Sequence, residues 1–233
     1  MVIPDARVLA GSLATNPRLS DWLSIHADGS VSVRTGKVEL GQGICTALAQ
    51  IVAEELCIAP WRISMFAAST TSGPNEGMTA GSMSIAHSGA ALRQACAEVR
   101  TIYLQAAAAK LGLAPDQAAA FDVVDGSIFF KDGRVAGSYW ALADDALLDR
   151  SANGDVLPRR AGSPAAVQVE RLDIPDKVTG HPRFIQDMSL PGILYGRVAH
   201  PPSPGAKLLD IDLAAVQAMP GVVTTVRDGV LSV

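Results

Sequence analysis

Two glycine-rich turns carry the residue types best suited to chemistry in this chain. Gly41-Gln42-Gly43 stands just before one apolar stripe of helical period, and Thr79-Ala80-Gly81-Ser82-Met83-Ser84 stands just before another. The first turn of a helix leaves backbone N–H groups unpaired and carries a partial positive charge, which suits an anionic or acceptor-rich ligand. Glycine lets a ligand approach the backbone, and Gln42, Ser82 and Ser84 add side-chain donors. Ser, Thr and Gly also serve as ordinary helix caps, so local sequence leaves both readings open. The Gly41–Gly43 run is neither G-x-G-x-x-G nor a Walker A loop.

The remaining reactive side chains form no recognisable constellation. Glu39, Glu54, Glu55 and Glu76 could each act as a general base, and nothing local separates them. His26, His87, His181 and His200 are scattered without metal-ligand spacing. The 3 cysteines, Cys45, Cys57 and Cys96, include no C-x-x-C pair, so neither a disulfide framework nor a zinc or iron–sulfur site is signalled. These residues give a binding signature without a catalytic one.

The elements that must position the two turns follow from periodicity. Alternation over residues 22–34 around Asp28-Gly29 predicts a hairpin with a type I′ turn. Residues 36–43 read as a short strand running into the Gly-Gln-Gly turn. Ile44, Leu48, Ile51, Val52 and Leu56 predict a helix over 44–57, with Glu54 and Glu55 facing away. Pro60 ends it, and 62–67 reads as a strand. Residues 69–84 are turn chemistry, followed by a long helix over 84–111 whose small residues imply close packing. Asp125-Gly126 marks a second hairpin, 139–148 a short amphipathic helix, and 149–168 a proline-punctuated linker. A strand at 194–199, a helix at 213–219, a strand at 222–226, an Asp228-Gly229 turn and a broken-off strand at 230–233 complete the pattern. That ending reads as a chain cut mid-fold, with unpaired backbone at its end.

Composition bounds the rest. The 233 residues are 48% hydrophobic and 18% charged, with a net charge of -4, enough for one or two domains with a real core. So mild an acidity argues against nucleic-acid or anionic-membrane partners. No run of about 18 apolar residues predicts a membrane span. The first residues lack the basic and apolar regions of a secretory signal, so a cytoplasmic location is expected.

Three long segments in order carry a resemblance: GKVELGQGICTALAQIVAEEL (36–56), STTSGPNEGMTAGSMSIAHSGAALRQACAEVR (69–100) and RLDIPDKVTGHPRFIQDMSLPGILYGRVAHPP (171–202). Together they resemble the molybdopterin-binding subunit of the molybdenum hydroxylases, the xanthine dehydrogenase and aldehyde oxidase family, in its nicotinate dehydrogenase and isoquinoline oxidoreductase branch. The resemblance implies that Gln42, flanked by Gly41 and Gly43, hydrogen-bonds the pyranopterin. It also implies that Thr79, Ala80, Gly81, Ser82 and Ser84 wrap the cofactor near the molybdenum. The implied cofactor is molybdopterin with molybdenum, in the cytosine dinucleotide form. Implied partners are the remaining part of the molybdenum subunit, a two-iron two-sulfur subunit carrying iron–sulfur clusters, and a cytochrome c electron acceptor.

The departures matter equally. The family's later glycine–phenylalanine loop, arginine-bearing substrate loop and C-terminal Gly-Glu segment have no match in 1–233, so no catalytic residue is assigned. The expected fold class is α+β. Residues 1–160 would form a molybdopterin cofactor-binding segment of mixed strands with two main helices, and 161–233 an incomplete α/β hammerhead domain. The expected function is part of a molybdenum hydroxylase that oxidises an aldehyde or N-heteroaromatic substrate with water-derived oxygen. The alternative is a non-catalytic remnant or interaction subunit that assembles with a partner chain.

Overall fold

The computed structural model describes residues 8–159, 169–223, 226–227 and 231–232. The chain divides into two compact units, the first ending at Thr179 and the second beginning at Gly180.

In the first unit, β1 (Leu23–Ile25) and β2 (Val31–Arg34) form an antiparallel hairpin, and β3 (Ile63–Phe66) adds to β2 in parallel. The link between β2 and β3 holds α1 (Ile44–Leu56), as a parallel pair requires a crossover. Leu23, Ile25, Val31 and Val33 are buried while Ser24 and Ser32 are less so, the period-two alternation of a sheet with one face on a core. Helix α1 buries Ile44, Leu48, Val52 and Leu56. Each such side chain contributes roughly 1.5–3 kcal/mol by leaving water. It packs on α2 (Ala90–Lys110), which is entered through a π-turn, Ile85–Gly89. Close packing by small residues holds there: an added Cβ at Gly89 would lie 3.1 Å from Ile51 Cδ1. Tyr103 on α2 meets Tyr139 edge to face, with centroids 5.4 Å apart.

A three-stranded meander follows: β4 (Phe121–Val124), β5 (Ser127–Phe130) and β6 (Val135–Ser138). Asp125 and Gly126, at φ 48° and 76°, supply the two left-handed residues of the expected hairpin turn. Asp125 also anchors the meander, because its carboxylate pairs with Arg62 at 2.7 Å and accepts the Ala59 N–H at 2.9 Å. Short α3 (Asp145–Leu148) is capped by Asp144, and α4 (Ile174–Thr179) ends the unit.

Several expectations are corrected. The first hairpin turns through three residues, not two. The Gly29 N–H reaches the His26 carbonyl, the His26 N–H reaches the Ser30 carbonyl, and of the loop residues only Gly29 has positive φ. Residues 36–43 form no strand. Glu55 faces inward and is fully buried. The helix expected over 139–148 is instead a 3-10 turn, Trp140–Leu142, followed by α3.

The second unit contains β7 (Val198–Ala199), α5 (Leu213–Gln217), β8 (Val226–Arg227) and β9 (Leu231–Ser232). β9 lies between β7 and β8, antiparallel to both, so this last strand is not the unpaired edge expected. The Asp228-Gly229 turn, Val230, Val233, Arg160 and the 160–168 part of the linker lie outside the described residues, as do residues 1–7. Among the described residues no helix is long and apolar enough to cross a membrane.

Candidate functional site

The segment leading to α1 escapes the sheet because side chains take its hydrogen bonds. The Gly36 N–H donates to Glu76 at 2.8 Å, Lys37 to Thr35 Oγ1 at 3.1 Å and Val38 to Thr79 Oγ1 at 2.9 Å. The Leu40 N–H donates to Gln42 Oε1 at 2.5 Å, and Gly41 and Gly43 both donate to Glu39 Oε1, at 2.9 and 2.8 Å. A β-ladder would use these same groups, so strand pairing is pre-empted.

Glu39 changes the reading of the first helix terminus. Its carboxylate also accepts the Cys45 N–H at 3.2 Å, so it caps α1 and sits at the positive end of the helix. Gly43, the N-cap residue, is left-handed at φ 81° and has no side chain to cap with. Of the donors expected to face an anionic ligand at α1, the Gly43 and Cys45 N–H groups are therefore taken by the chain's own carboxylate.

The segment before the second glycine turn is held against the segment before the first by a knot around Glu76. Its Oε2 accepts Thr35 Oγ1 at 2.8 Å and Ser88 Oγ at 3.0 Å, and its Oε1 accepts Ser12 Oγ at 2.5 Å. Thr35 and Ser88 are buried, and their hydroxyls lie 2.9 Å apart. The buried Lys37 ammonium donates to the carbonyls of Glu76 and Met78, at 2.8 and 3.3 Å. Polar groups so deeply placed cost stability unless paired, and each here has a partner.

The structure links Gln42 to Thr79 through Val38, whose carbonyl accepts Gln42 Nε2 and whose N–H donates to Thr79 Oγ1. Gln42 is exposed; its Nε2 donates to the Val38 carbonyl at 2.9 Å and its Oε1 accepts from Leu40. A primary amide has two donors and two acceptor sites, so Gln42 keeps one of each for a ligand. Ala80, Gly81 and Ser82 are exposed, and Ser82 holds a left-handed φ of 56°. Half-buried Ser84 sits at the N-cap of the π-turn, which has no side-chain cap bond. Its uncapped first turn fits an acceptor-rich group better than α1 does. Beside the turns, Val38, Leu40, Met78, Met83 and Ile85 expose apolar side chains that a flat heterocycle could cover.

Sequence reasoning missed Thr35, Lys37 and Arg171, and weighed Glu39 and Glu76 only as bases, whereas all five support the turns. Arg171 lies against the first turn, donating to the Gly41 carbonyl at 3.1 Å. Only the carboxylate two residues before Gly41 could have signalled Glu39; the other contacts are long-range.

The four glutamates weighed as bases all have structural duties. Glu39 caps α1 and Glu76 ties the turns together. Glu54 pairs with Arg93 at 2.8 Å. Buried Glu55 pairs with Arg100 at 3.0 Å and accepts the Arg159 N–H on both oxygens at 3.1 Å. Burial pushes its pKa up, against the opposing pull of the Arg159 amide, Arg100 and Arg93. Among the described residues no group of three or more His, Cys, Asp or Glu could hold a metal ion.

The molybdopterin cofactor-binding domain model matches residues 8–164. The chain is 35% identical over 225 residues to a nicotinate dehydrogenase subunit from Pseudomonas putida, covering 89% of this chain and 18% of that protein. It is 30% identical to a membrane-bound aldehyde dehydrogenase [pyrroloquinoline-quinone] of Gluconacetobacter polyoxogenes, over 95% of this chain and 29% of that one. The beta chain of isoquinoline 1-oxidoreductase from Brevundimonas diminuta is 28% identical, over 86% of this chain and 31% of that one. The chain thus spans less than a third of the length of each of these relatives. With both glycine turns inside the matched span, the chain belongs to the molybdopterin cofactor-binding domain family of the molybdenum hydroxylases.

Proposed function

We propose that this chain supplies two pterin-holding turns to a molybdenum hydroxylase acting on an aldehyde or an N-heteroaromatic substrate. The observation that carries this is the Val38–Thr79 bond, which ties the segment entering the first turn to the start of the second, 41 residues on. Gln42, with Gly41 and Gly43, would meet the pterin edge through the donor and acceptor left on its amide. Thr79, Ala80, Gly81, Ser82 and Ser84 would pass around the same group, with the uncapped π-turn offering backbone N–H groups. When bound, the molybdenum–pterin group supplies the two-electron chemistry of hydroxylation; the chain orients it and excludes water through the apolar rim. The names of the P. putida and B. diminuta relatives support an N-heteroaromatic substrate and that of the G. polyoxogenes relative an aldehyde.

The finer assignments belong to the same proposal: the cytosine dinucleotide form of the cofactor, a two-iron two-sulfur subunit, a cytochrome c acceptor and a cytoplasmic location. So does a hammerhead domain begun within 161–233. The catalytic base would come from the rest of the molybdenum subunit, since Glu39, Glu54, Glu55 and Glu76 are engaged.

The test is to produce the chain with the rest of its molybdenum subunit and extract the cofactor. Pterin and molybdenum in equal amounts support the reading. A bound quinone without pterin, or no redox cofactor, overturns it.

A further inference from the structure

Arg171 is placed to control the shape of the Gly41-Gln42-Gly43 turn. An added Cβ at Gly43 would lie 3.2 Å from Arg171 Cδ and 3.3 Å from Cζ and Nε, so the guanidinium covers this glycine. Nη2 donates to the Gly41 carbonyl at 3.1 Å and lies 4.0 Å from Glu39, the carboxylate capping α1. Asp173 grips the guanidinium through Nε at 2.8 Å and Nη2 at 2.6 Å, and Lys177 on α4 donates to the same carboxylate at 2.5 Å. The Leu172 N–H adds a bond to Thr46 Oγ1 in the first turn of α1, at 3.0 Å.

We infer that Arg171 is a positioning residue for the Gly-Gln-Gly turn, and that residues 171–177 form a latch holding this turn in the shape that presents Gln42. The fork matters because one planar group satisfies Asp173 and the Gly41 carbonyl at once while lying flat on Gly43. A lysine ammonium is a point charge and cannot do all three. Arg171 and Lys177 together hold the Asp173 carboxyl well below the usual carboxylate range, so the grip persists across neutral pH. The significance of the latch for the cofactor rests on the function proposed above, whereas its effect on the turn does not.

Amide hydrogen exchange on the full chain tests it without any cofactor. Arg171→Ala and Arg171→Lys should each speed exchange over residues 39–46 by about tenfold or more, the loss of a charge-assisted hydrogen bond. Exchange over 90–110 should not change. Unaltered exchange at 39–46 in Arg171→Ala, or full protection in Arg171→Lys, overturns the latch. Acceleration spreading through 90–110 also overturns it, by showing that Arg171 serves the fold at large. Pterin content of a Gln42→Ala subunit reads the proposed function separately, so either idea can fail alone.

Discussion

The Val38 amide donates to the Thr79 hydroxyl oxygen at 2.9 Å, joining two loops 41 residues apart in sequence. Val38 is exposed and Thr79 half-buried, so this bond stands at the surface where the two glycine turns meet. Beneath it, Lys37 and Glu76 make the same junction from inside.

Thr79→Val should loosen the second turn, because it keeps the shape of the side chain and removes the acceptor. Faster proteolysis within 69–84 is expected, at a cost of about 1 kcal/mol for the lost bond. Thr79→Ser should restore protection. Equal cleavage rates in all three proteins would show that the bond does not hold the turn.

Glu55→Ala should destabilise the first unit strongly. It would leave Arg93 and Arg100 facing an interior with no carboxylate at 0% exposure between them, and would free the Arg159 amide. A loss of about 3 kcal/mol is expected from breaking a buried pair. Urea unfolding measures it, and a change below about 1 kcal/mol, the size of a surface pair, would contradict the buried role.

The Asp125–Arg62 pair gives a pH signature. Arg62 hydrogen bonding, assisted by the Ala59 amide, holds the Asp125 pKa below its ordinary 3.8. Its contribution is therefore full above 3.8 and lost as pH falls through the lower folded-state value. Asp125→Asn keeps a residue tolerant of the left-handed turn and removes the charge together with one of the two acceptors that Arg62 bonds. The wild type should exceed it by up to about 1 kcal/mol at pH 7, the pair being partly solvated, with the gap closing in acid. A gap constant from neutral pH down to about 3 would rule out the pair as its source.

What the sequence made legible, and what it hid, follows from the range of each signal. Asp125-Gly126 announced its hairpin because two adjacent residues supply the whole left-handed turn. Asp28-Gly29 misled because the Ser30 amide and hydroxyl, both bonded to the Asp28 carboxylate, settle a longer loop. Glu55 was misplaced by its charge, although its spacing from Leu48 and Val52 puts it on the buried face of α1. Its partners Arg93 and Arg100 lie two turns apart on one face of α2, a pattern the sequence did contain. The two glycine turns were visible locally. Their junction was not, since Thr35, Lys37, Glu76 and Arg171 act across long stretches of chain.

Gly43→Val should cost about 1–2 kcal/mol from the left-handed backbone alone, and its side chain should push Arg171 off the turn. Helix content by circular dichroism should be retained, because α1 is held by its apolar stripe. Unchanged thermal stability would show that the turn relaxes without Arg171.

The most direct measurement is the pterin and molybdenum content of the complete subunit carrying Gln42→Ala together with Ser82→Ala. Both residues are exposed, so the fold should persist, with a melting temperature within about 2 °C of the wild type. If these turns hold the cofactor, both contents should fall at least about tenfold, the loss of one or two hydrogen bonds to the ligand. Pterin and molybdenum retained at the wild-type level in the folded variant would show that the cofactor is held elsewhere.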